Sequence, residues 1–386
     1  MHNGRVEDKI LIIIFSLILI CGLTCFTHLS RINYVENRYS YQIPSFSIKN
    51  FIDGSYQDSM EKYLSDQLPF SEKMKLFIKT VNLDLKIKYY HFLGSQNYHL
   101  LDDEIYLFED KLVFAPTDFD YAKPYLEKNI SNINNIKKDL KDKNFFLYYI
   151  EKDFDINFLN GEKQLFYNYI SKLIDSSIKS ERLKINSFND YSQLFYTTDH
   201  HWNYLGSYNG YLDIVNLLNL NNIIVPKETI CFNNQFIGSK SSTLGSTMIY
   251  NEKLCGYIFD LPSHSIYVNN KLVNQYKKSI KDIQNSAIVK YADFYGYDYG
   301  LLEFNFNNPE RDNLLIIGIS FDNPIDELLA SHFNKTYKVD LRNYEKDIGE
   351  KFNIIDFTEK NDINNILIIG DLGFFLDEEF NIVGDK

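Results

Sequence analysis

Leu314-Leu315-Ile316-Ile317-Gly318-Ile319-Ser320-Phe321 is a run of four aliphatic residues that breaks at a glycine and reaches a serine two residues later. A short apolar run without polar alternation reads as a strand buried on both faces. Pro324 then opens a helical pattern that reaches Phe333. Working outward, the same alternation recurs. Phe145–Ile150 reads as a strand and Glu162–Ile178 as a helix. Leu205, Tyr208, Leu212, Val215 and Leu218 mark one helical face, and Tyr337–Leu341 and Ile366–Ile369 read as further strands. Strands alternating with helices over residues 131–386 predict an α/β fold, a parallel sheet flanked by helices on both faces. Such sheets gather reactive groups at the carboxyl ends of their strands, where Ser320 falls. A Gly/Ser/Asn-rich tract around Gly238–Gly245 and the alternating Ser265–Val268 predict an irregular or β-rich insertion at about 226–300.

Thr198-Asp199-His200-His201-Trp202-Asn203 supplies the polar groups that a serine needs. A serine hydroxyl is a poor nucleophile until a base takes its proton. His201 is the candidate base, and Asp199, two residues earlier, can orient its imidazole. The N–H groups after Ser320 can face an oxyanion. The bland alternative makes Ser320 an ordinary turn residue. A metal reading of Asp199-His200-His201 needs further ligands, and the other histidines show no HxxxH or HxH spacing. No metal and no cofactor is expected. Trp202 reads either as core packing or as the wall of a substrate groove.

The chain has 386 residues, 45% apolar and 16% aromatic, enough for a folded core. Thirty Tyr and thirty Phe fit aromatic platforms for sugars, or simply AT-rich codon usage. A net charge of −12 without a basic patch argues against nucleic acid. No CxxC pair occurs; Cys231 and Cys255 could pair in an oxidising compartment or remain free thiols.

Residues 1–30 read as a short tail and a membrane anchor. Ile10–Ser30 lacks Asp, Glu, Lys and Arg and is long enough to span a bilayer core. A cleaved signal peptide would show a shorter apolar region and a small-x-small site, which Phe26-Thr27-His28-Leu29 does not offer. Residues 31–130 read as a membrane-proximal helical lead-in, with helices at Tyr56–Leu68 and from Ser71, and a hairpin near Leu100–Tyr106.

The Thr198–Asn203 block followed by Gly206 resembles the DHHW proteins, relatives of the AlgX/AlgJ-type polysaccharide O-acetyltransferases within the SGNH hydrolase-like group. Weaker likeness extends through Glu36–Arg38, Phe51–Gly54, Tyr63–Asp66, Tyr295–Tyr297, Leu328–Phe333 and Val339–Tyr344. The resemblance implies an SGNH-like, flavodoxin-like sheet and a triad of Asp199, His201 and Ser320. It further implies an extracytoplasmic body held at a bacterial cell membrane by one span, acting on a polysaccharide. Acetyl groups would come from a multi-span membrane acyltransferase. Asn323 and Arg342 fall in matching blocks and are carried over as substrate-binding candidates, beside Trp202. The family commonly shows Gly-Asp-Ser where this chain has Gly318-Ile319-Ser320. That departure keeps open a weakened or inactive member that binds polysaccharide or serves in assembly.

Overall fold

In a computed structural model the protein is described continuously over residues 41–67, 71–94, 97–102, 104–244 and 251–377, with isolated positions before residue 41. The run expected to form an anchor therefore lies essentially outside the described residues. No helix among those described is long and apolar enough to cross a membrane.

The chain divides into two compact units. One carries the helices Ile48–Ile52, Ser55–Gln67 and Ser71–Leu93. Ser47 opens the first of these, its Oγ accepting from the Asn50 N–H. The other spans residues 94–240 and 250–386 and is built on one eight-stranded sheet. Its strands are β1 (Asn144–Ile150), β2 (Lys179–Leu183), β3 (Ser265–Val268), β4 (Lys271–Val273), β5 (Leu301–Asn305), β6 (Asn313–Ile317), β7 (Lys335–Val339) and β8 (Ile363–Gly370). Their spatial order is β4-β3-β5-β7-β6-β8-β1-β2. The five strands from β7 to β2 are parallel. The other three pair antiparallel, so the sheet is mixed rather than purely parallel. The reason lies in the insertion. Its Ser265–Val273 hairpin, half-buried and alternating, adds two strands to the edge that β5 opens.

Period-two alternation divides the sheet's side chains between two cores. Phe145, Leu147, Leu315, Ile317, Ile366 and Ile368 face helices Phe119–Asp139, Phe166–Leu173 and Ile354–Lys360. Phe146, Tyr148, Leu314, Ile316, Leu367 and Ile369 face the helix Tyr204–Leu217 and the segment Leu328–Phe333. The outcome is helix, sheet, helix.

Several elements differ from expectation. Glu162–Ile178 is not one helix. Glu162–Lys163 pairs with Ile156–Asn157 across a turn in which Gly161 takes φ +71°, and the helix runs only over Phe166–Leu173. The helix after Pro324 is the short Asp326–Ala330. Leu100–Tyr106 belongs to a three-stranded sheet, His99–Asp102, Ile105–Phe108 and Lys111–Phe114. Tyr204–Leu217 buries Gly206, Gly210, Tyr211 and Ile214 instead of Leu205. A Cβ at Gly210 would stand 2.6 Å from the Trp202 ring, so the indole turns the two glycines inward. Cys231 and Cys255, opposite each other in an antiparallel pair, form a disulfide.

Candidate active site

Strand β6 ends at Ile317, and the chain turns through Gly318 and Ile319 to Ser320 at the carboxyl edge of the sheet. Gly318 is required there, since a Cβ would lie 2.4 Å from an Asp322 carboxylate oxygen. Neighbouring strands bring Lys152 (after β1), Asp340 (after β7) and Asp371 (after β8) to the same edge. That edge is where open α/β sheets place ligands.

The Asp-His-His-Trp segment reaches this edge as the tip of a pinched loop. Phe195 and Trp202 bridge, the Tyr196 N–H donates to the His201 carbonyl, and the Asn203 N–H donates to the Leu194 carbonyl. Asn203 then caps the helix Tyr204–Leu217 through its side-chain oxygen. The loop points His201 Nε2 at Ser320 Oγ, 2.6 Å away. On the other side of the ring, Nδ1 lies 2.5 Å from Asp199 Oδ1. Asp199 also accepts the His201 N–H at 3.0 Å and, through Oδ2, the Ser239 N–H at 2.7 Å. Burial alone would raise the Asp199 carboxyl, but the His201 imidazole and these hydrogen bonds hold it well below the usual carboxylate range. Asp199, His201 and Ser320, separated by 119 residues in sequence between base and serine, thus form one hydrogen-bonded chain.

Several residues not singled out in the sequence shape this chain. Tyr291, in the short helix Tyr291–Tyr295, stacks on the His201 ring at 3.8 Å with 3° between planes. Ser239 Oγ accepts from the His200 N–H and meets its Nδ1 at 2.6 Å. Gly238 passes so close that a Cβ would lie 2.2 Å from the Thr198 carbonyl oxygen. Glu252 accepts from the Thr197 and Thr198 N–H groups. Gly238, Ser239, Glu252 and Tyr291 all belong to the stretch read as an irregular insertion, which gave no periodic signal to find them by.

Buried cations lie beneath both arms. Lys152 Nζ donates to Asp371 at 3.2 Å and faces the Phe321 ring at 5.2 Å. Under the serine turn, Lys338 pairs with Asp322 at 2.6 Å and Asp326 at 3.6 Å. Burial pushes Asp322 up to about 6 and Asp326 up to about 7, with Lys338 opposing both shifts.

The three substrate-binding candidates are placed differently from one another. Trp202 is completely buried, edge-on to Phe321 and against the helix glycines, with no face left for a substrate. Asn323 is buried too; its amide donates to the Gly296 carbonyl and its oxygen accepts from Lys338. It touches the wall of a cavity of about 460 Å³ that also meets Tyr257, Phe259, His264, Tyr295 and Glu327. Arg342 is 40% exposed, paired with Asp340 and with Asp298. Asp199, His200 and His201 bring potential ligand atoms within 4.8 Å of one another. Both His201 nitrogens and His200 Nδ1 are already hydrogen-bonded, which suits proton transfer better than ligation.

No family model matches the chain, and no curated protein matches it in sequence. Solved structures do share its fold. Bacillus cereus PatB1 aligns with a TM-score of 0.56 at 20% identity over 72% of this chain and 99% of that one. PatB1 with a sulfonyl adduct gives 0.57 at 18% identity, over 72% and 98%. A DHHW family protein from Eubacterium siraeum gives 0.56 at 16% identity, over 73% and 96%. The chain therefore resembles a DHHW family protein in fold as well as in its Asp199–Trp202 motif. The O-acetyltransferase domain of Pseudomonas putida AlgJ reaches only 0.31 at 9% identity, over 70% and 91%, too slight to argue from.

Proposed function

We propose that the chain is a serine-dependent O-acetyltransferase or acetylesterase that acts on a cell-surface or exported polysaccharide. One observation carries the reading: Ser320 Oγ, His201 and Asp199 are joined by hydrogen bonds of 2.6 and 2.5 Å. In this mechanism Ser320 Oγ attacks the acetyl carbonyl carbon while His201 Nε2 takes its proton. Asp199, held ionised, fixes the Nδ1–H tautomer and stabilises the imidazolium. The Ser320 and Phe321 N–H groups, which donate no hydrogen bond among the described residues, are the candidate donors to the oxyanion. Collapse breaks the bond to the leaving alcohol, which takes the proton from His201 and leaves acetyl-Ser320. A sugar hydroxyl or water, deprotonated by His201, then attacks the ester and restores the serine.

The disulfide supports an oxidising, extracytoplasmic location, and the apolar run at residues 10–30 supports attachment to a bacterial membrane. A multi-span acyltransferase is the proposed acetyl source. Ile319 favours a second reading, a polysaccharide-binding member without turnover. Where the resembling family commonly has Asp, this side chain packs against both cores.

The test incubates full-length protein with p-nitrophenyl acetate and records ester turnover and intact mass. Because PatB1 carries a sulfonyl adduct in one structure, phenylmethanesulfonyl fluoride is the matching covalent probe. Turnover and both adducts are expected to vanish in Ser320→Ala, with a loss of about a thousandfold or more. Equal, background behaviour in folded wild type and Ser320→Ala would favour the binding reading.

A further inference from the structure

The Ser71–Leu93 helix has an outward face that solvent does not explain. Phe77, Ile78, Val81, Leu85, Tyr89 and Phe92 recur at helical spacing, and all are exposed, from 39% at Val81 to 85% at Phe92. Leu83 and Ile87 are buried and point the opposite way at 3.6 residues per turn. A helix at a water surface carries polar residues on its outer face; this one carries its largest apolar groups there. Ile43, Phe46, Ile48, Phe51 and Ile52 of the same unit are exposed as well.

Charge identifies the occupant. Residues 71–93 hold five lysines against Glu72 and Asp84, a cationic island in a chain of net charge −12. In helical projection Lys79 and Lys86 flank one side of the apolar stripe, while Lys88 falls within its opposite margin beside Phe77 and pairs with Asp84 at 2.6 Å. That is the layout of a helix lying in a membrane interface, with apolar groups among the acyl chains and lysines reaching to the headgroups. A second copy fits less well in an antiparallel pairing of the stripes, which would set the Lys79/Lys86 edge against its own copy. Spanning is excluded for this helix, which is too polar to cross.

We propose that the Ser71–Leu93 helix docks flat on an anionic bilayer surface, burying the Phe77–Phe92 stripe and pairing its flanking lysines with lipid headgroups. The inference is independent of the chemistry at Ser320. A tryptophan at Leu85 reads it out in full-length protein, since Trp202 is the only native tryptophan and is fully buried. The Leu85→Trp protein is mixed with brominated phosphatidylcholine/phosphatidylglycerol vesicles. Quenching well above that of the parent protein is expected, weakening with added salt and with Lys79→Glu/Lys86→Glu. Quenching no greater than the parent's would overturn the proposal. Equal quenching on pure phosphatidylcholine would overturn the assignment of the lysines to headgroup charge. A lipid-free dimer by sedimentation, dissociated by Leu85→Glu, would reassign the stripe to a copy-to-copy contact.

Discussion

At the scale of the residue, what distinguishes His201 from a core histidine is that each of its polar atoms has one partner and one job. Nδ1 and the backbone N–H face Asp199, Nε2 faces Ser320, and the ring face is covered by Tyr291. Asp199→Asn keeps the size but presents an amide to Nδ1, which permits the wrong tautomer. Turnover of p-nitrophenyl acetate is expected to fall about a thousandfold or more. Tyr291→Leu removes the aromatic face that favours imidazolium, so a drop of about tenfold in kcat is expected. Tyr291→Phe keeps that face and should retain most of the activity. Equal losses in both variants would show that the hydroxyl, not the ring, is what matters. Ile319 belongs at this scale also. The carboxylate nearest Gly318 comes from Asp322, two residues after the serine, so the turn has an acidic neighbour despite the apolar residue before Ser320.

At the scale of the element, the serine turn sits on a buried ionic cluster between the β6 and β7 ends. Asp322 and Asp326 have folded values of about 6 and about 7, both above the ordinary 3.8. A carboxyl raised in this way contributes stability that is fully present below its unfolded value and is lost as pH rises through the folded value. The contribution of this pair should therefore fade between about pH 4 and 7. Lys338→Met removes the cation that compensates them. The expected cost is about 3–5 kcal/mol at pH 8, because two buried carboxylates lose their partner. It should be clearly smaller at pH 5, where both can hold a proton; urea unfolding at the two pH values measures the difference. A cost independent of pH would mean that Lys338 acts through packing alone. Gly238 is the corresponding weak point of the other arm. Gly238→Ala must push back the Thr198–Asp199 backbone, so activity is expected to fall more than stability.

At the scale of the molecule, the insertion is part of the site's frame. The Cys255 carbonyl accepts from Tyr196 at 3.0 Å and from Tyr295 at 2.7 Å. These bonds tie the disulfide strand to the root of the histidine loop and to the helix that carries Tyr291. The bridge closes a loop over 24 residues of sequence separation, which in the chain-entropy account stabilises by about 3–4 kcal/mol. Cys231→Ser/Cys255→Ser is expected to lose about that much in urea unfolding and to lose activity at lower urea than the parent. Matching midpoints would show that the bridge is not coupled to the site.

The strands β1, β6 and β8 were legible because central parallel strands are buried on both faces and so carry apolar runs; β7, Lys335–Val339, holds two lysines and was read two residues late, at Tyr337–Leu341. The acid, the two histidines and the serine were legible because polar groups stand out beside such runs. By itself, the chain's order of residues determined the α/β class, the sheet edge at which Ser320 emerges and the Asp199–His201 spacing. Only the tertiary structure decided that His201 Nε2 meets Ser320, across 119 residues. It also decided that Trp202 is core, that the sheet is mixed, and that Tyr291, Ser239 and Lys338 surround the site. Those outcomes depend on contacts between segments far apart in sequence, set by how the two sheet faces fill. Local periodicity reports only which side of its own element a residue occupies, and it cannot say what lies across from it.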